Sequence, residues 1–462
     1  MSNLNDVFFR PTESTQKTYE EILEEVQEYC TSNYASTISS ENSMEAGKLL
    51  RQFILRYLQK QKYAVEELGT DELADKLYED MAGYSFLRKW IFMDGIEEVN
   101  INSWDDIEVI YQGGRSVKIP EHFISPQQAI DVVRRMLSFC NMIIDDTMPS
   151  VLGHLSQHIR ISADKTPIVD KDVGVNISIR IVNQQSVSKQ KLLDSGSATG
   201  EMLDFLVSCI RYGVSVCIAG ATGSGKTTIM AWLLSTVPNN YRLITIEDGS
   251  REFNLVKRDA NGRILNSVVH LLTRPHEKES LNIDQDFLLE RVLRKHPNII
   301  GVGEIRASAE AMSVAEASRT GHTCVTTIHS NSSQASYRRM MTLAKRQFDI
   351  EDNMLMQIMV EAFPVIVYTK QLDDGSRRIM EIVEGEGYSG GKLNYRTLYR
   401  FEVQENRILT DQDSHNAEEV SEIKVIGRHR KISNISDELK SRFLENGIPQ
   451  KDLERFMKEG EK

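Results

Sequence analysis

The apolar positions of this chain change period twice, and each change marks a different kind of element. Tyr19, Ile22, Leu23, Val26, Tyr29 and Cys30, then Leu50, Phe53, Ile54, Tyr57 and Leu58, recur at three- and four-residue spacing, the repeat of an amphipathic helix. The first ninety residues therefore read as largely helical. From about Glu97 the runs shorten and alternate, as EEVNINS, IEVIY and SVKI with a turn at Gln112-Gly113-Gly114, which predicts strands. Ser125 and Pro126 cap and open a helix predicted over 126–139. Two further strands are predicted around 158–162 (HIRIS) and 175–182 (VNISIRIV). A polar, Ser-rich stretch over 183–200 reads as a linker.

Beyond residue 200 the pattern changes again. Short apolar runs at 215–219 (SVCIA), 242–246 (RLITI), 298–302 (NIIGV) and 324–328 (CVTTI) alternate with helical segments. Such alternation predicts an α/β fold: a mostly parallel sheet with helices on both faces and the active site at the carboxyl ends of its strands. VIVYTKQ and RRIMEIVE flank Asp374-Gly375 as a hairpin. The expected organisation is a helical extension (1–95), an α+β domain (96–182), the linker (183–200), the α/β domain (201–400) and a helical tail (401–462). In the tail Ser436 caps one helix, Asn446-Gly447 closes it, and a last helix begins at Gln450, giving a packing or docking surface. A chain of 462 residues exceeds what one core usually supports.

Composition narrows the functional classes. With 40% hydrophobic and 26% charged residues the chain has an ordinary globular make-up. The longest apolar stretch, 354–368, is broken by Gln357, Glu361 and Pro364, so no transmembrane helix is expected. The first residues lack the basic and apolar regions of a secretory signal, which points to the cytosol. A net charge of −12 disfavours a protein that coats nucleic acid, and no direct nucleic-acid binding is expected. Arg338-Arg339 and residues 428–431 are the densest basic spots, read as solvated faces or subunit contacts. Five cysteines without close pairing, and histidines without helical pairing, predict neither a disulfide frame nor a structural metal.

The candidate chemistry lies at the predicted strand ends. Gly220, Ala221, Thr222, Gly223, Ser224, Gly225, Lys226 and Thr227 fill every position of the pattern G-x-x-x-x-G-K-[ST], and Thr228 continues it. Glycines let backbone N–H groups turn toward phosphate oxygens, Lys226 reaches the β- and γ-phosphates, and Thr227 ligates Mg²⁺. The strand before the loop and the helix after it, ended by Pro238-Asn239-Asn240, place the phosphates at a helix N-terminus. The leading reading is therefore a nucleoside triphosphate with Mg²⁺. Glu247-Asp248, Gly303-Glu304 and His329 end the other three strands. Glu304 is placed to orient or deprotonate a water, or else is a surface carboxylate paired with Arg306. Glu247 and Asp248 hold Mg²⁺ through water, or cap a helix. His329 senses the γ-phosphate, or satisfies a local hydrogen bond.

These motifs, in this order, resemble the secretion (traffic) ATPases of type II and type IV secretion systems, in particular the CpaF-type branch. The likeness covers roughly 96–384. GATGSGKTT resembles that family's Walker A motif, ITIEDGSREFNL its Asp box, LRKHPNIIGVGEIRASAEA its Walker B region, SRTGHTCVTTIHSNSS its His box, and DDGSRRIMEI its closing hairpin. The resemblance implies a RecA-like P-loop ATPase domain beside the α+β domain. It also implies a homo-oligomeric, hexameric ring, peripheral at the cytoplasmic face of a membrane platform, that uses ATP for pilus assembly, conjugation or export. It further implies that Arg180, and Arg160 beside it, approach the phosphates from the α+β domain, although either could be an exposed strand residue. His154 stands where the family usually has an arginine. The Asp box is one residue longer between Asp248 and Glu252 than the family's usual form, leaving Arg251 or Glu252 at its second acidic position. Gly303 replaces the aspartate of many P-loop enzymes. Two rivals remain: a nucleic-acid motor, P-loop kinase or GTPase, disfavoured by the net acidity and the lack of an N-K-x-D sequence, and a scaffold that binds ATP without turning it over.

Overall fold

The structure is a computed structural model, and it describes residues 15–19, 21–23, 25–26, 29, 44–64, 69–82, 84–111, 114–138, 140, 142–156, 159–181, 187–274, 281–409 and 422–457. The predicted turn at Gln112-Gly113, His158 of the HIRIS strand, Val182 of the next strand and the first residues of the linker, 183–186, lie outside these, as does Cys30. The chain divides into two compact units, 1–182 and 183–462.

The first unit begins with β1 (Thr15–Gln16), a helical segment at the described residues of 19–29 (α1), α2 (Met44–Gln61), β2 (Tyr63–Ala64), α3 (Thr70–Ala82) and α4 (Leu87–Ile91). Ile22, Val26, Ile54, Leu58 and Leu77, read from the helical spacing or beside it, form one small apolar cluster. Six strands follow: β3 (Ile96–Ser103), β4 (Asp106–Tyr111), β5 (Ser116–Lys118), β6 (Ser150–Ser156), β7 (Ile159–Lys165) and β8 (Val175–Ile181), with α5 (Pro126–Ser138) between β5 and β6. They form an antiparallel sheet in the order β5-β4-β3-β8-β7-β6. Alternation sorts each strand: Val175, Ile177 and Ile179 join the core with Val132, Val133 and Met136 of α5, while Asn176, Ser178 and Arg180 are exposed.

The second unit runs α6 (Lys189–Asp194), α7 (Gly200–Arg211), β9 (Val216–Gly220), α8 (Lys226–Ser235), β10 (Arg242–Glu247), β11 (Ser267–Leu272), α9 (Gln285–Leu293), β12 (Ile299–Val302), α10 (Ser308–Arg319), β13 (Thr323–His329), α11 (Ser333–Lys345) and α12 (Asp352–Ala362). It continues through β14 (Val365–Gln371), β15 (Arg377–Ser389), β16 (Lys392–Leu409), β17 (Glu422–Lys431), α13 (Asp437–Glu445) and α14 (Gln450–Met457). The strand order is β11-β10-β12-β13-β9-β14-β15-β16-β17, parallel as far as β14 and antiparallel beyond it. The α/β architecture expected from the alternating runs is the one observed. Strands buried on both faces need apolar side chains in both directions. Accordingly Val216 and Ile218 join one core cluster, and Cys217 and Ala219 the other.

Three expectations are corrected. The segment 183–200 is not wholly an irregular linker: Ser188 accepts a hydrogen bond from Lys191 N at 3.1 Å and caps α6. β11 was not foreseen. The segment after residue 401 is not a purely helical tail, because β16 and β17 extend the sheet through 431. Ladder hydrogen bonds from β15 to β16 and from β16 to β17 hold these strands, so they fold with few apolar residues and an exposed face.

The last two helices are core. Phe443 and Phe456 are fully buried, with ring centroids 6.3 and 5.4 Å from Phe205 of α7 at near-perpendicular angles, a favourable aromatic geometry. Truncating Phe443 to alanine should therefore cost the second unit about 3–5 kcal/mol of stability, read as a lower urea midpoint; a loss under about 1 kcal/mol would make the tail peripheral.

Candidate active site

The loop between β9 and α8 has the curl that its glycines permit. Gly223 and Gly225 have φ of 76° and 90°, in the left-handed region, where a side chain would be strained. At Gly220 space is the constraint: a Cβ there would lie 2.4 Å from both Ser224 Oγ and Thr369 O. The loop is seated on β14, with Ser224 Oγ 3.0 Å from Thr369 Oγ1. Lys226, the first residue of α8, is buried, and its Nζ donates to Ala221 O at 2.9 Å across the loop. Thr227 and Thr228 are exposed on the first turn.

The parallel register brings β12 and β13 beside this loop. His329 pairs with Gly220 across β13 and β9, which puts its imidazole 3.3 Å from Lys226 Nζ at Nδ1 and 3.0 Å from Glu304 Oε1 at Nε2. An ammonium only donates, so Nδ1 accepts and the proton sits on Nε2, facing the carboxylate. Glu304 Oε2 accepts from Arg306 Nε at 2.9 Å, and Arg306 Nη1 donates to Asp248 Oδ2 at 2.7 Å. One polar chain thus runs Lys226, His329, Glu304, Arg306, Asp248. Of the two readings of Glu304, the pairing with Arg306 is present, and the carboxylate also lies beside the histidine. Burial lowers the His329 pKa, and the charges of Lys226, Arg306 and Arg339 add to that while Glu304 opposes it.

Glu247 departs from its expected role. Its side chain is buried, Oε1 accepts from Thr245 Oγ1 at 2.6 Å and lies 2.9 Å from His270 Nδ1, and Oε2 accepts from the backbone N–H groups of Glu252 and Phe253 at 2.5 and 2.9 Å. A carboxylate so fully committed to protein donors anchors the loop after β10 and is not poised to ligate a metal or act on substrate. Asp248 is half-exposed and tied to Arg306 and to Thr273 Oγ1, 2.9 Å away. Thr227 fits Mg²⁺ better, as a hydroxyl exposed at the helix start. Among the described residues no group of three or more His, Cys, Asp or Glu is arranged to hold a metal ion. Cys209, Cys217 and Cys324 are buried, and burial pushes their thiols up. Arg180 and Arg160 are cross-strand neighbours in the first unit, flanked by Glu98 and His154 in one row of the sheet.

The model of the type II/IV secretion system protein family matches residues 128–422, which include the loop and all four strand tips. The chain belongs to this family. An uncharacterized protein of Methanocaldococcus jannaschii is 30% identical over 68% of this chain and 54% of its own length. The chain thus spans about half of that relative. The conjugal transfer protein TrbB of Rhizobium radiobacter is 29% identical, over 57% of this chain and 75% of the relative. The type IV secretion system protein VirB11 of Bartonella quintana is 23% identical, over 59% and 83%. Among the described residues no helix is long and apolar enough to cross a membrane.

Sequence reasoning missed two contributors. Arg306 was weighed only as a partner of Glu304, yet it also ties that carboxylate to Asp248. Thr369 and Gln371 of β14 sit against the loop, Gln371 Oε1 being 3.1 Å from where a Gly223 Cβ would stand; only the pairing of β14 with β9 reveals this.

A prediction about pH follows from the depressed pKa of His329. The neutral ring is the form that accepts from Lys226, and it persists until pH falls below the ordinary histidine value of 6.5. The ATPase rate should hold down to that pH and fall beneath it, and the limb should vanish in His329→Asn. A pH–rate profile whose histidine limb lies above 6.5 contradicts the arrangement.

Proposed function

We propose that this chain is an ATP-hydrolysing motor working as a homo-hexameric ring, peripheral at the cytoplasmic face of an inner-membrane platform, where it powers pilus assembly, conjugative transfer or protein secretion. The observation that carries the reading is the Lys226–His329–Glu304 link at the mouth of the phosphate loop. The names of the relatives, a conjugal transfer protein and a type IV secretion system protein, support the biological setting. The motif text of the Asp and His boxes supports the CpaF-type branch.

In this reading the triphosphate displaces Ala221 O from the Lys226 ammonium, which then meets the β- and γ-phosphates while still donating to His329 Nδ1. Glu304, held in orientation by Arg306 at Oε2, turns its unpartnered Oε1 beside His329 and positions the attacking water. Its oxygen bonds to the γ-phosphorus as the bond from phosphorus to the β–γ bridging oxygen breaks. ADP leaves with that electron pair, and the water proton passes to Glu304. Thr227 is the residue that would hold Mg²⁺, which when bound screens the phosphate charge. Asp248 would assist it through water. For Arg180, with Arg160 beside it, we keep the role implied by the family resemblance, cations that meet the charge developing on the transferring phosphoryl group.

The test separates binding from turnover. Glu304→Gln should lower ATP hydrolysis by at least a hundredfold while a fluorescent ADP analogue binds within about threefold of the parent. Lys226→Ala should lose the binding itself. A Glu304→Gln protein that hydrolyses ATP at the parental rate would remove the assignment.

A further inference from the structure

The phosphate loop opens on one side into a cleft of about 550 Å³ whose far wall the nucleotide reading does not use. Its near end is Ala221 and Thr222 of the loop with His329, and its far wall is one face of α11, carrying Arg339 and, at the helix C-cap, Arg346. These two arginines are seven residues apart, two turns of helix, so they project from the same face about 10 Å from each other. Both are exposed, and neither guanidinium forms an ion pair or side-chain hydrogen bond with any described residue.

Other arginines of this unit are committed to acids. Arg306, Arg319, Arg396, Arg430 and Arg455 are each paired with a carboxylate at 3.3 Å or less, as expected in a chain with 67 acidic and 55 basic residues. Two unpaired forks face the same cleft, whose other end is the histidine contacting Lys226. A guanidinium presents parallel N–H donors that match the oxygens of a phosphate.

We propose that the cleft is an exit subsite for orthophosphate, in which Arg339 and Arg346 hold the dianion after it leaves the Lys226–His329 end of the site. The proposal rests on the ATPase reading above and adds a route for one of its products. Orthophosphate is small enough for the cleft, and its charge is opposite to that of the only unpaired cations lining it. The γ-phosphate end of a nucleotide on Lys226 lies at the cleft mouth, whereas ADP stays on the loop. The two products therefore part at His329. Arg338, next in sequence but absent from the cleft lining, serves as an internal control.

The experiment measures inhibition of ATP turnover by added orthophosphate, and in parallel the affinity of a fluorescent ADP analogue, for the full chain. The Arg339→Gln/Arg346→Gln protein should need about tenfold more orthophosphate for the same inhibition, with a much smaller change in ADP affinity. Arg339→Lys/Arg346→Lys, which keeps the charge without the fork, should fall between it and the parent, and Arg338→Gln should match the parent. All these side chains are exposed, so the buried face of α11 (Ser336, Tyr337, Met340, Leu343) is untouched. The proposal is overturned if orthophosphate does not inhibit the parent, if the double variant is inhibited equally, or if Arg338→Gln shifts inhibition as much. A parent that fails to bind ADP overturns the nucleotide reading as well, and so tells the two failures apart.

Discussion

The site depends on one imidazole. His329 lies at the end of β13 between the phosphate-loop lysine, whose Nζ is 3.3 Å from its Nδ1, and Glu304, whose Oε1 is 3.0 Å from its Nε2. Only a neutral ring leaves Nδ1 free to accept from the lysine. Its protonation would leave Lys226 facing a second cation and strip the histidine of its acceptor. The surroundings oppose protonation through burial and three neighbouring cations, with Glu304 alone pulling the other way. The environment thus keeps His329 in the form that couples loop to carboxylate.

The sheet makes that placement possible. In a parallel arrangement all carboxyl ends point the same way, and the pairings of β10, β12, β13 and β9 line up Glu247, Val302, His329 and Gly220 at one edge. β14 adds a floor on the far side: Thr369 pairs with Gly220 and meets Ser224, so the loop cannot drift outward. The close approach at Gly220 shows how tight the seat is, since even one methyl would collide with Thr369 O and Ser224 Oγ. Beyond the floor the antiparallel strands and the two closing helices complete the core under α7 with Phe443 and Phe456.

Much of this was legible in the sequence where chemistry and pattern coincide. The glycines, Lys226, Glu304 and His329 each follow an apolar run, and the alternation of runs with helices fixed their common edge. Glu247 was misread because its partners, His270 on β11 and the N–H groups of Glu252 and Phe253, are brought to it by a strand pairing that no local pattern announces. β16 and β17 were read as tail because YRFEVQENRIL and EIKVIGRHRK carry charges along their length. An edge extension of a sheet tolerates such sequences, since its stability comes from ladder hydrogen bonds more than from burial. The unpaired state of Arg339 and Arg346 was equally invisible: a basic pair in sequence says nothing about where the acids are.

The most direct measurement of the central claim is the ¹⁵N spectrum of the His329 ring at pH 7. The account predicts a neutral imidazole with its proton on Nε2, a pyridine-like Nδ1, and no imidazolium signal until the solution is well into the acid range. An imidazolium at neutral pH, or a ring protonated on Nδ1, would contradict it.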